Sequence, residues 1–384
     1  MKLYIYALLC LATSISCSFQ KPEKAKFFDL TIAVDRQYFD FFQEMIKEFS
    51  FGKDVRIRLM EVDMFANLDT LEKNPEQVAD IFFSVADRLG LYATLDLLEP
   101  LENLTLRDFT HHSIIASRYQ DTTYMLPMSV DTTLLIYDAN RIVQRPKTLT
   151  ELPMDLWATN FTDFYFMFGL FMSLDPNFLN KQHQLNLLTE EATTVGSIIQ
   201  QWHSQHSPLT RSMSKENANI SQLLIENFLN GEIVYMINGS WSLSAITGKG
   251  LNIDAMPIPS WDGTNSFQQL VGVKGLVVNA KTTNKQLAKQ FLQFLSTYKN
   301  AQTWYQMTKE ISPHRQIPYL EGSIARSIFD AAEAGVVIPN DIHFFHVWEP
   351  MNHALQRIVE QADIQATFEA TQKELLHIFD AMES

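Results

Sequence analysis

Residues 29–101 alternate between short apolar stretches and amphipathic helical patterns, and this alternation restricts the fold more than any other feature. The stretches Asp29–Val34, Val55–Val62 and Val78–Val85 have the composition of β-strands, and the third is largely apolar, as in a strand covered on both faces. Between the first two, apolar residues recur with the 3.6-residue period of a helix. Such strand–helix–strand repeats predict an α/β protein with a mostly parallel sheet and helices on both faces.

Charged pairs follow two of these predicted strands. Asp35 and Arg36 end the first strand, and Asp87 and Arg88 follow the third. Parallel sheets bind ligands at the carboxyl ends of their strands, so both pairs are expected at one rim of the sheet. A second reading makes Asp87 and Arg88 an ion pair that caps the helix after the strand, since Asp at a helix start is stabilising.

Two further predicted strands follow each other without a helix. Residues 122–128 and 132–138 are joined directly by Ser129–Asp131. They form either a hairpin or one extended run that passes from one domain to another. Further on, Phe164–Leu174 is too apolar for a surface helix and is expected to be buried.

The N-terminus has the features of a secretion signal. Lys2 precedes the short apolar stretch Leu3–Leu11, and small residues lead to Cys17. The alternative, a core helix, would need polar residues on one face. The segment "SISC" resembles a bacterial lipobox, which predicts a signal peptide over 1–17, a lipidated Cys17 and a polar tether over 18–26. Cys10 is the only other cysteine, so no internal disulfide is expected after cleavage. No other stretch is long enough to span a membrane.

Composition and motifs exclude several classes of function. With a formal charge of -14, the chain lacks the basic patches that nucleic acids require. It has no phosphate-binding glycine loop and no nucleophile elbow. Two histidine pairs, at 203/206 and 343/346, have helical spacing but no nearby third ligand, so no metal site is predicted. The sequence therefore indicates no enzyme and no cofactor.

Three aromatic residues lie near small polar residues at predicted strand ends. They are Tyr165 after Asp163, Trp241 after a short polar turn, and Trp348 after His346. Each one alone is best read as a core aromatic. Together with the charged rim, they offer what a carbohydrate needs: an aromatic plane for its C–H face, and carboxylates and guanidinium groups for its hydroxyls.

At this point the sequence resembles the maltose/maltodextrin-binding proteins of bacterial ABC importers. Five segments occur in that family's order and spacing: "DIFFSVADRLGLYATLDLLEPL", "YMLPMSVDTTLLIYDANRI", "RPKTLTELP", "NFLNGEIVYMINGSW" and "NKQLAKQFLQFL". The resemblance implies a two-lobed, periplasmic-binding-protein-like α/β fold with mixed sheets and a hinged cleft. It places the N-terminal lobe at 27–129 and 272–320 and the C-terminal lobe at 131–270 and 323–384, with crossings near 129–131, 270–272 and 320–323.

The resemblance also assigns site residues position by position. The matching ligand-binding positions are Asp35, Arg36, Asp87, Arg88, Asp131, Asp163, Tyr165, Trp241 and Trp348. Two positions depart from the family: Ser84 replaces a stacking tryptophan, and Asn352 replaces an arginine. Two family glutamates are the shorter Asp131 and Asp163, and Phe164 replaces a proline. These departures indicate a different or shorter saccharide than maltose.

The expected function is therefore that of an extracytoplasmic, membrane-anchored lipoprotein. It would act as a monomer that captures a carbohydrate and delivers it to a membrane-embedded ABC permease. Alternatives are a protein of the same fold that binds a non-sugar solute such as a polyamine, and a surface sensor or adhesin. A glycosidase using Asp131 and Asp163 as its two acids is a more distant alternative.

Overall fold

The computed structural model describes residues 28–205 and 220–383. The predicted signal peptide (1–17), the tether (18–26) and Cys17 lie outside the described residues, as does His206. The strands are β1 (Leu30–Val34), β2 (Ile57–Glu61), β3 (Ile81–Val85), β4 (Arg118–Tyr119), β5 (Thr122–Thr123), β6 (Met125–Asp138), β7 (Trp157–Ala158), β8 (Tyr235–Gly239), β9 (Ile253–Met256), β10 (Leu270–Val278) and β11 (Val336–Val337).

Helices follow or separate most of the strands. They are α1 (Phe39–Ser50), α2 (Met64–Lys73), α3 (Leu89–Thr94), α4 (His111–Ala116), α5 (Phe164–Leu174), α6 (Glu190–Gln205), α7 (Ile220–Leu229), α8 (Leu243–Ile246), α9 (Lys285–Leu295), α10 (Tyr298–Thr308), α11 (Ile324–Ala334), α12 (Ile342–Phe345), α13 (Trp348–Val359) and α14 (Ile364–Glu383). None of the described helices is long and apolar enough to cross a bilayer.

The main sheet combines parallel and antiparallel strands. Its order is β2-β1-β3-β10-β6-β8-β7, with β11 paired to β10 and β9 paired to β6. β1 runs parallel to both β2 and β3, as the strand–helix–strand pattern predicts. β10 enters antiparallel between β3 and β6, although it comes almost 200 residues after β3 in the chain. The prediction of an α/β protein with a mixed sheet is confirmed. The mostly parallel sheet expected from the strand–helix–strand pattern alone is wrong, because β10 is antiparallel to β3 and β6, and β6 is antiparallel to β8 and β9.

The stretch around Ser129–Asp131 is the middle of one long strand rather than the turn of a hairpin. β6 is buried over its whole length. Its first half pairs with β10, from Met125 opposite Val277 to Thr132 opposite Val271. Its second half pairs with β8 on one side and with β9 on the other. β6 therefore joins two groups of strands, one containing β1–β3 and one containing β7–β9.

Each of these two groups packs in a hydrophobic cluster of its own, and a third cluster spans both groups, from Ala33 and Phe82 to Ala158 and Met236. One cluster joins β1 and β3 to α1, α9 and Trp304. Another joins α5, α6, α13 and α14 around an aromatic centre that includes Phe164, Phe168 and Phe171. The helix α5 is buried along nearly its whole length, which confirms the expectation from its apolar sequence.

Candidate functional site

The two predicted acid–base pairs lie at one edge of the sheet. β1 and β3 are parallel neighbours, with Ile32 opposite Ile81, so their carboxyl ends point the same way. Asp35 follows β1 directly, and Asp87 is in the short 3₁₀ turn after β3. An Oδ of Asp35 accepts a hydrogen bond of 3.1 Å from the backbone N–H of Met64.

Both arginines of these pairs bind other carboxylates. Arg36 is exposed and forms an ion pair with Glu61 at 3.3 Å. The guanidinium of Arg88 donates to the Tyr92 hydroxyl at 3.1 Å and lies 3.7 Å from Glu72. None of the three described ion pairs of these arginines, which go to Glu61, Asp69 and Glu72, joins an arginine to its neighbouring aspartate.

The helix-capping reading of Asp87 is not supported by the hydrogen bonds. The 3₁₀ turn Ala86–Arg88 starts after Val85, and neither this turn nor α3 receives a side-chain cap hydrogen bond. Burial raises the pKa of Asp87, and the charge of Arg88 only partly offsets the effect of burial. Among the described residues, no side chain donates a hydrogen bond to the Asp87 carboxylate.

The three predicted aromatic residues come together. The ring centre of Tyr165 lies 5.6 Å from that of Trp241 and 6.4 Å from that of Trp348. These rings belong to three different elements: the first turn of α5, the 3₁₀ turn after β8, and the start of α13. Trp241 is 42% exposed, an unusual value for a tryptophan. We refer to these three residues as the aromatic cluster.

A close backbone approach allows Trp241 to take this position. A Cβ on Gly239 would lie 2.2 Å from the Cε2 and Cζ2 atoms of the Trp241 ring. Only a residue without a side chain leaves room for the indole against the end of β8. Glycine at this position therefore leaves the space that the Trp241 ring occupies beside Tyr165.

The start of α5 positions two more of the predicted residues. An Oδ of Asp163 accepts a hydrogen bond of 2.9 Å from the N–H of Tyr165, which caps the helix. The Oδ1 of Asn352 accepts another, at 2.8 Å, from the N–H of Phe164. Burial raises the pKa of Asp163 despite the hydrogen bond from Tyr165. Asp163 has no described ion-pair partner.

The Tyr165 hydroxyl is surrounded by acidic groups. It lies 3.4 Å from the carbonyl oxygen of Leu270, at the start of β10. Burial, followed by the charges of Asp131, Asp163 and Asp87, raises its pKa well above the usual value. Charges of residues that follow β3, lie within β6 and precede α5 thus act together on one tyrosine of the aromatic cluster.

Lys274, which the sequence patterns did not single out, is the cation of this site. Its Nζ lies 3.0 Å from an Oδ of Asp131 and 3.3 Å from an Oε of Glu310. The Tyr38 hydroxyl donates to Glu310 at 3.0 Å, and the Ser240 hydroxyl donates to Asp131 at 3.0 Å. The available signal was a single lysine in the apolar strand β10, where a charge needs a partner.

Ser84 is buried, unlike the other predicted site residues, which are at least partly accessible or lie beside the aromatic cluster. It is completely buried in β3, opposite Gly275, and its hydroxyl donates to the carbonyl oxygen of Val85. It offers no accessible side chain in this structure. In residues 28–205 and 220–383, no three metal-ligating side chains come together.

The fold is a mixed α/β fold whose two halves share the long strands β6 and β10. Polar and aromatic groups lie where these strands pass from one half to the other. These features define a two-lobed binding protein. The chain belongs to the family of bacterial extracellular solute-binding proteins, whose model matches residues 44–318.

Relatives of known function are distant but cover most of the chain. The maltodextrin-binding protein MdxE of Bacillus subtilis (strain 168) is 22% identical over 345 residues, covering 83% of this chain and 82% of that protein. A galactooligosaccharide-binding protein of the same organism is 22% identical, covering 91% of each chain.

Solved structures confirm the predicted two-lobed fold. MalX from Streptococcus pneumoniae, solved with maltopentaose, superimposes with a TM-score of 0.81 at 18% identity and covers 91% of this chain and 100% of its own. The maltose-binding protein MalE from Listeria monocytogenes, solved with maltose, gives 0.79 at 19% identity, covering 90% and 96%. At this identity the likeness establishes the fold.

Proposed function

We propose that the protein captures a carbohydrate outside the cytoplasm and delivers it to a membrane-embedded ABC permease. The observation that carries this proposal is the meeting of Tyr165, Trp241 and Trp348 with the carboxylates of Asp131 and Asp163. Aromatic planes suit the C–H face of a sugar ring, and carboxylates accept hydrogen bonds from its hydroxyls. The matched relatives include proteins named for maltodextrin and galactooligosaccharide binding.

The ligand site we propose contains Asp35, Asp87, Asp131, Asp163, the aromatic cluster and Asn352, with Arg36 and Arg88 at its margin. Ser84 is completely buried and is left out of it. Lys274 and Ser240 hold Asp131 in place. The backbone N–H groups at the start of α5 fix Asp163 and Asn352. Such prearranged polar groups make a site selective, because a ligand that leaves them unpaired is penalised.

Binding would act through closure of two lobes about β6 and β10. We place the lobes at 27–129 with 272–320, and at 131–270 with 323–384. The site draws Asp87 from one lobe and Asp163 from the other, so a ligand that contacts both favours the closed form. The closed form, acting as a monomer, would dock on the permease.

Attachment at the membrane would come from Cys17. Cleavage after Ser16 and lipidation of Cys17 would leave 18–26 as a tether. Relatives from Streptococcus pneumoniae carry the name of a maltooligosaccharide ABC transporter solute-binding lipoprotein. Metabolic labelling with a clickable fatty acid, compared between the native chain and Cys17→Ser, tests this directly.

The carbohydrate itself is tested by titration. The purified protein is mixed with mono- and oligosaccharides while tryptophan fluorescence and melting temperature are followed. Binding of a true ligand stabilises the folded state by about 2.7 kcal/mol at a hundredfold excess over its dissociation constant. Trp241→Phe serves as the control, since it should remove most of the fluorescence change. Absence of any shift across the saccharide panel would overturn the proposal.

A further inference from the structure

Ser240 joins two parts of the proposed ligand site that lie far apart in the sequence. Its hydroxyl donates a hydrogen bond of 3.0 Å to an Oδ of Asp131, and it accepts one of 3.4 Å from the backbone N–H of Thr132. Ser240 directly precedes Trp241 in the 3₁₀ turn after β8. A shift of Ser240 therefore moves the backbone that carries the exposed indole.

Asp131 is a fixed point for Ser240, because its second carboxylate oxygen is also bound. The ammonium group of Lys274 lies 3.0 Å from that oxygen, 3.3 Å from an Oε of Glu310 and 3.4 Å from the hydroxyl of Tyr38. An ammonium group has three N–H donors, so one can point at each of these oxygens. The Tyr38 hydroxyl in turn donates to Glu310 at 3.0 Å. The Asp131 carboxylate is thus held between this buried group and the Ser240 hydroxyl.

The next residue of β6 holds a second ring of the aromatic cluster. The Thr132 hydroxyl donates to the carbonyl oxygen of Leu270 at 2.9 Å, and the Tyr165 hydroxyl donates to the same oxygen at 3.4 Å. The rings of Tyr165 and Trp241 meet edge to face, with an angle of 61° between their planes. Two consecutive residues of β6 therefore anchor this ring pair, one through Leu270 and one through the turn after β8.

The surroundings of Trp241 make its position depend on the bond between Ser240 and Asp131. The Trp241 residue is 42% exposed, and neither its turn nor α8 has a side-chain cap hydrogen bond at its start. Gly239, against which the ring lies, has no side chain to pack on it. An exposed side chain on a short turn gains conformational entropy when it moves, so a tether to the sheet is needed to keep it in one place.

We infer that Ser240 is a positioning residue, which passes the fixed position of Asp131 on to Trp241. The carboxylate that accepts a sugar hydroxyl and the ring that stacks on the C–H face of the sugar are then presented as one preformed unit. This inference rests on the proposed carbohydrate function and adds a determinant of specificity. A ligand must offer a hydroxyl and a C–H face at the spacing that the bond between Asp131 and Ser240 sets. Prearrangement of both groups also lowers the entropy cost of binding.

The position of Trp241 is tested first in the ligand-free protein. The tryptophans are replaced by fluorotryptophan, and the fluorine NMR signal of Trp241 is identified by its loss in Trp241→Phe. In Ser240→Ala we expect this signal to shift or broaden, because the turn loses its hydrogen bond to Asp131. The control is Ser244→Ala, which removes an exposed hydroxyl that donates at 3.3 Å to the carbonyl oxygen of Trp241. This control should leave the Trp241 signal in place.

A double-mutant cycle then tests the effect on binding. The probes are maltotriose and galactobiose, titrated calorimetrically, and the cycle uses the one that binds more tightly. Ser240→Ala should raise the dissociation constant about tenfold, whereas Ser244→Ala should raise it less than about twofold. In a Trp241→Ala background, Ser240→Ala should add less than about threefold, because the effects of groups that act as one unit are not additive.

The two experiments separate this inference from the proposed function. An unchanged Trp241 signal in Ser240→Ala, or an equal change of that signal in Ser244→Ala, overturns the positioning role whatever the ligand is. Additive losses of affinity in the cycle overturn it as well. Binding of neither saccharide contradicts the carbohydrate function and not the positioning role, which the fluorine spectra still decide.

Discussion

The ammonium group of Lys274 lies 3.0 Å from the carboxylate of Asp131, within the long antiparallel pair formed by β6 and β10. The lysine side chain is only 16% exposed, and the second carboxylate, Glu310, is 3.3 Å away. Burial opposes the charge of Lys274, but Asp131 and Glu310 together raise its pKa well above the usual value. The group is therefore a charged lysine held by two acids at the centre of the fold.

Replacing Lys274 with methionine should lower the free energy of unfolding by about 3–5 kcal/mol, because two buried carboxylates lose their cation. Urea denaturation measures this change. The control is Lys299→Met, which removes an ion pair with Glu48 whose lysine is 69% exposed, and should cost less than about 1 kcal/mol. Equal stability of the two variants would contradict the central role of Lys274. The double variant with Glu310→Gln should recover part of the loss.

Gly239→Ala should displace the Trp241 ring from the binding site while leaving the tryptophan side chain chemically unchanged. In Gly239→Ala the new Cβ would lie 2.2 Å from the ring, so the exposed indole must move outward. We expect ligand affinity to fall about tenfold, close to the effect of Trp241→Ala, while the melting temperature changes little. Calorimetry and tryptophan emission spectra check this. Unchanged affinity would remove Trp241 from the binding site.

Two aspartates should give opposite pH dependences of stability. Burial raises the pKa of Asp163, so its proton is held more tightly in the native state than in the unfolded state. Its contribution to stability is present below the unfolded pKa of about 3.9 and is lost as the pH rises through the raised native value. The Asp163→Asn variant should therefore gain stability relative to the unsubstituted protein as the pH rises to 7.

Asp254 should give the opposite pH dependence of stability. Burial acts to raise its pKa, but hydrogen bonds from Tyr137, from the backbone of Ala255 and from Arg145 lower the pKa overall. Its contribution is present above the unfolded pKa and is lost as the pH falls through the lowered native value. Asp254→Asn should be less stable than the native protein at pH 7 and should approach it in acid. Urea midpoints at about pH 3, 4, 5.5 and 7 for both variants would show slopes of the same sign if either assignment is wrong, and the Asp254 effect appears at and below pH 4.

Gly90 allows two distant parts of the chain to touch. A Cβ at this position would lie 2.0 Å from the carbonyl oxygen of Asn340 and 3.1 Å from the Cα of Asp341. Gly90→Ala should separate α3 from this segment and lower the free energy of unfolding by about 1–3 kcal/mol. At Gly272 the nearest atom to a new Cβ would be the Tyr165 hydroxyl at 3.7 Å, so Gly272→Ala is the control and should be far milder. Similar melting temperatures for the two variants would contradict the close contact.

The sequence predicted the elements whose patterns are local. The buried strand ending at Val85, the buried helix α5 and the parallel pairing of β1 with β3 all follow from hydrophobic period and chain order. Tyr165, Trp241 and Trp348 come from separate elements, so no local pattern brings them together. The sequence singled them out by the small polar residues near them, and the family resemblance assigned them to one site.

Side-chain direction was beyond the reach of sequence patterns. Arg88 was expected at the ligand rim, but Glu72 and Tyr92 on neighbouring elements offer it better partners. The grouping of Lys274 with Glu310 and Tyr38 joins positions as much as 272 residues apart, so only the folded chain reveals it. The positions of strands and helices follow from residues close in sequence. Which carboxylate an arginine or lysine binds depends on tertiary contacts.

The late arrival of β10 has a consequence for how the protein is made. This strand lies between β3 and β6, so the first half of the sheet has a gap until residues 270–278 have been synthesised. Contacts between such distant segments form slowly, because the entropy cost of closing a long loop precedes the stability that the contacts contribute. The part of the sheet that contains β1–β3 therefore cannot be completed until 278 of the 384 residues have been translated. An unfolded chain is the form that can be threaded through a narrow translocation pore, and the order of strands in the sheet prolongs that form.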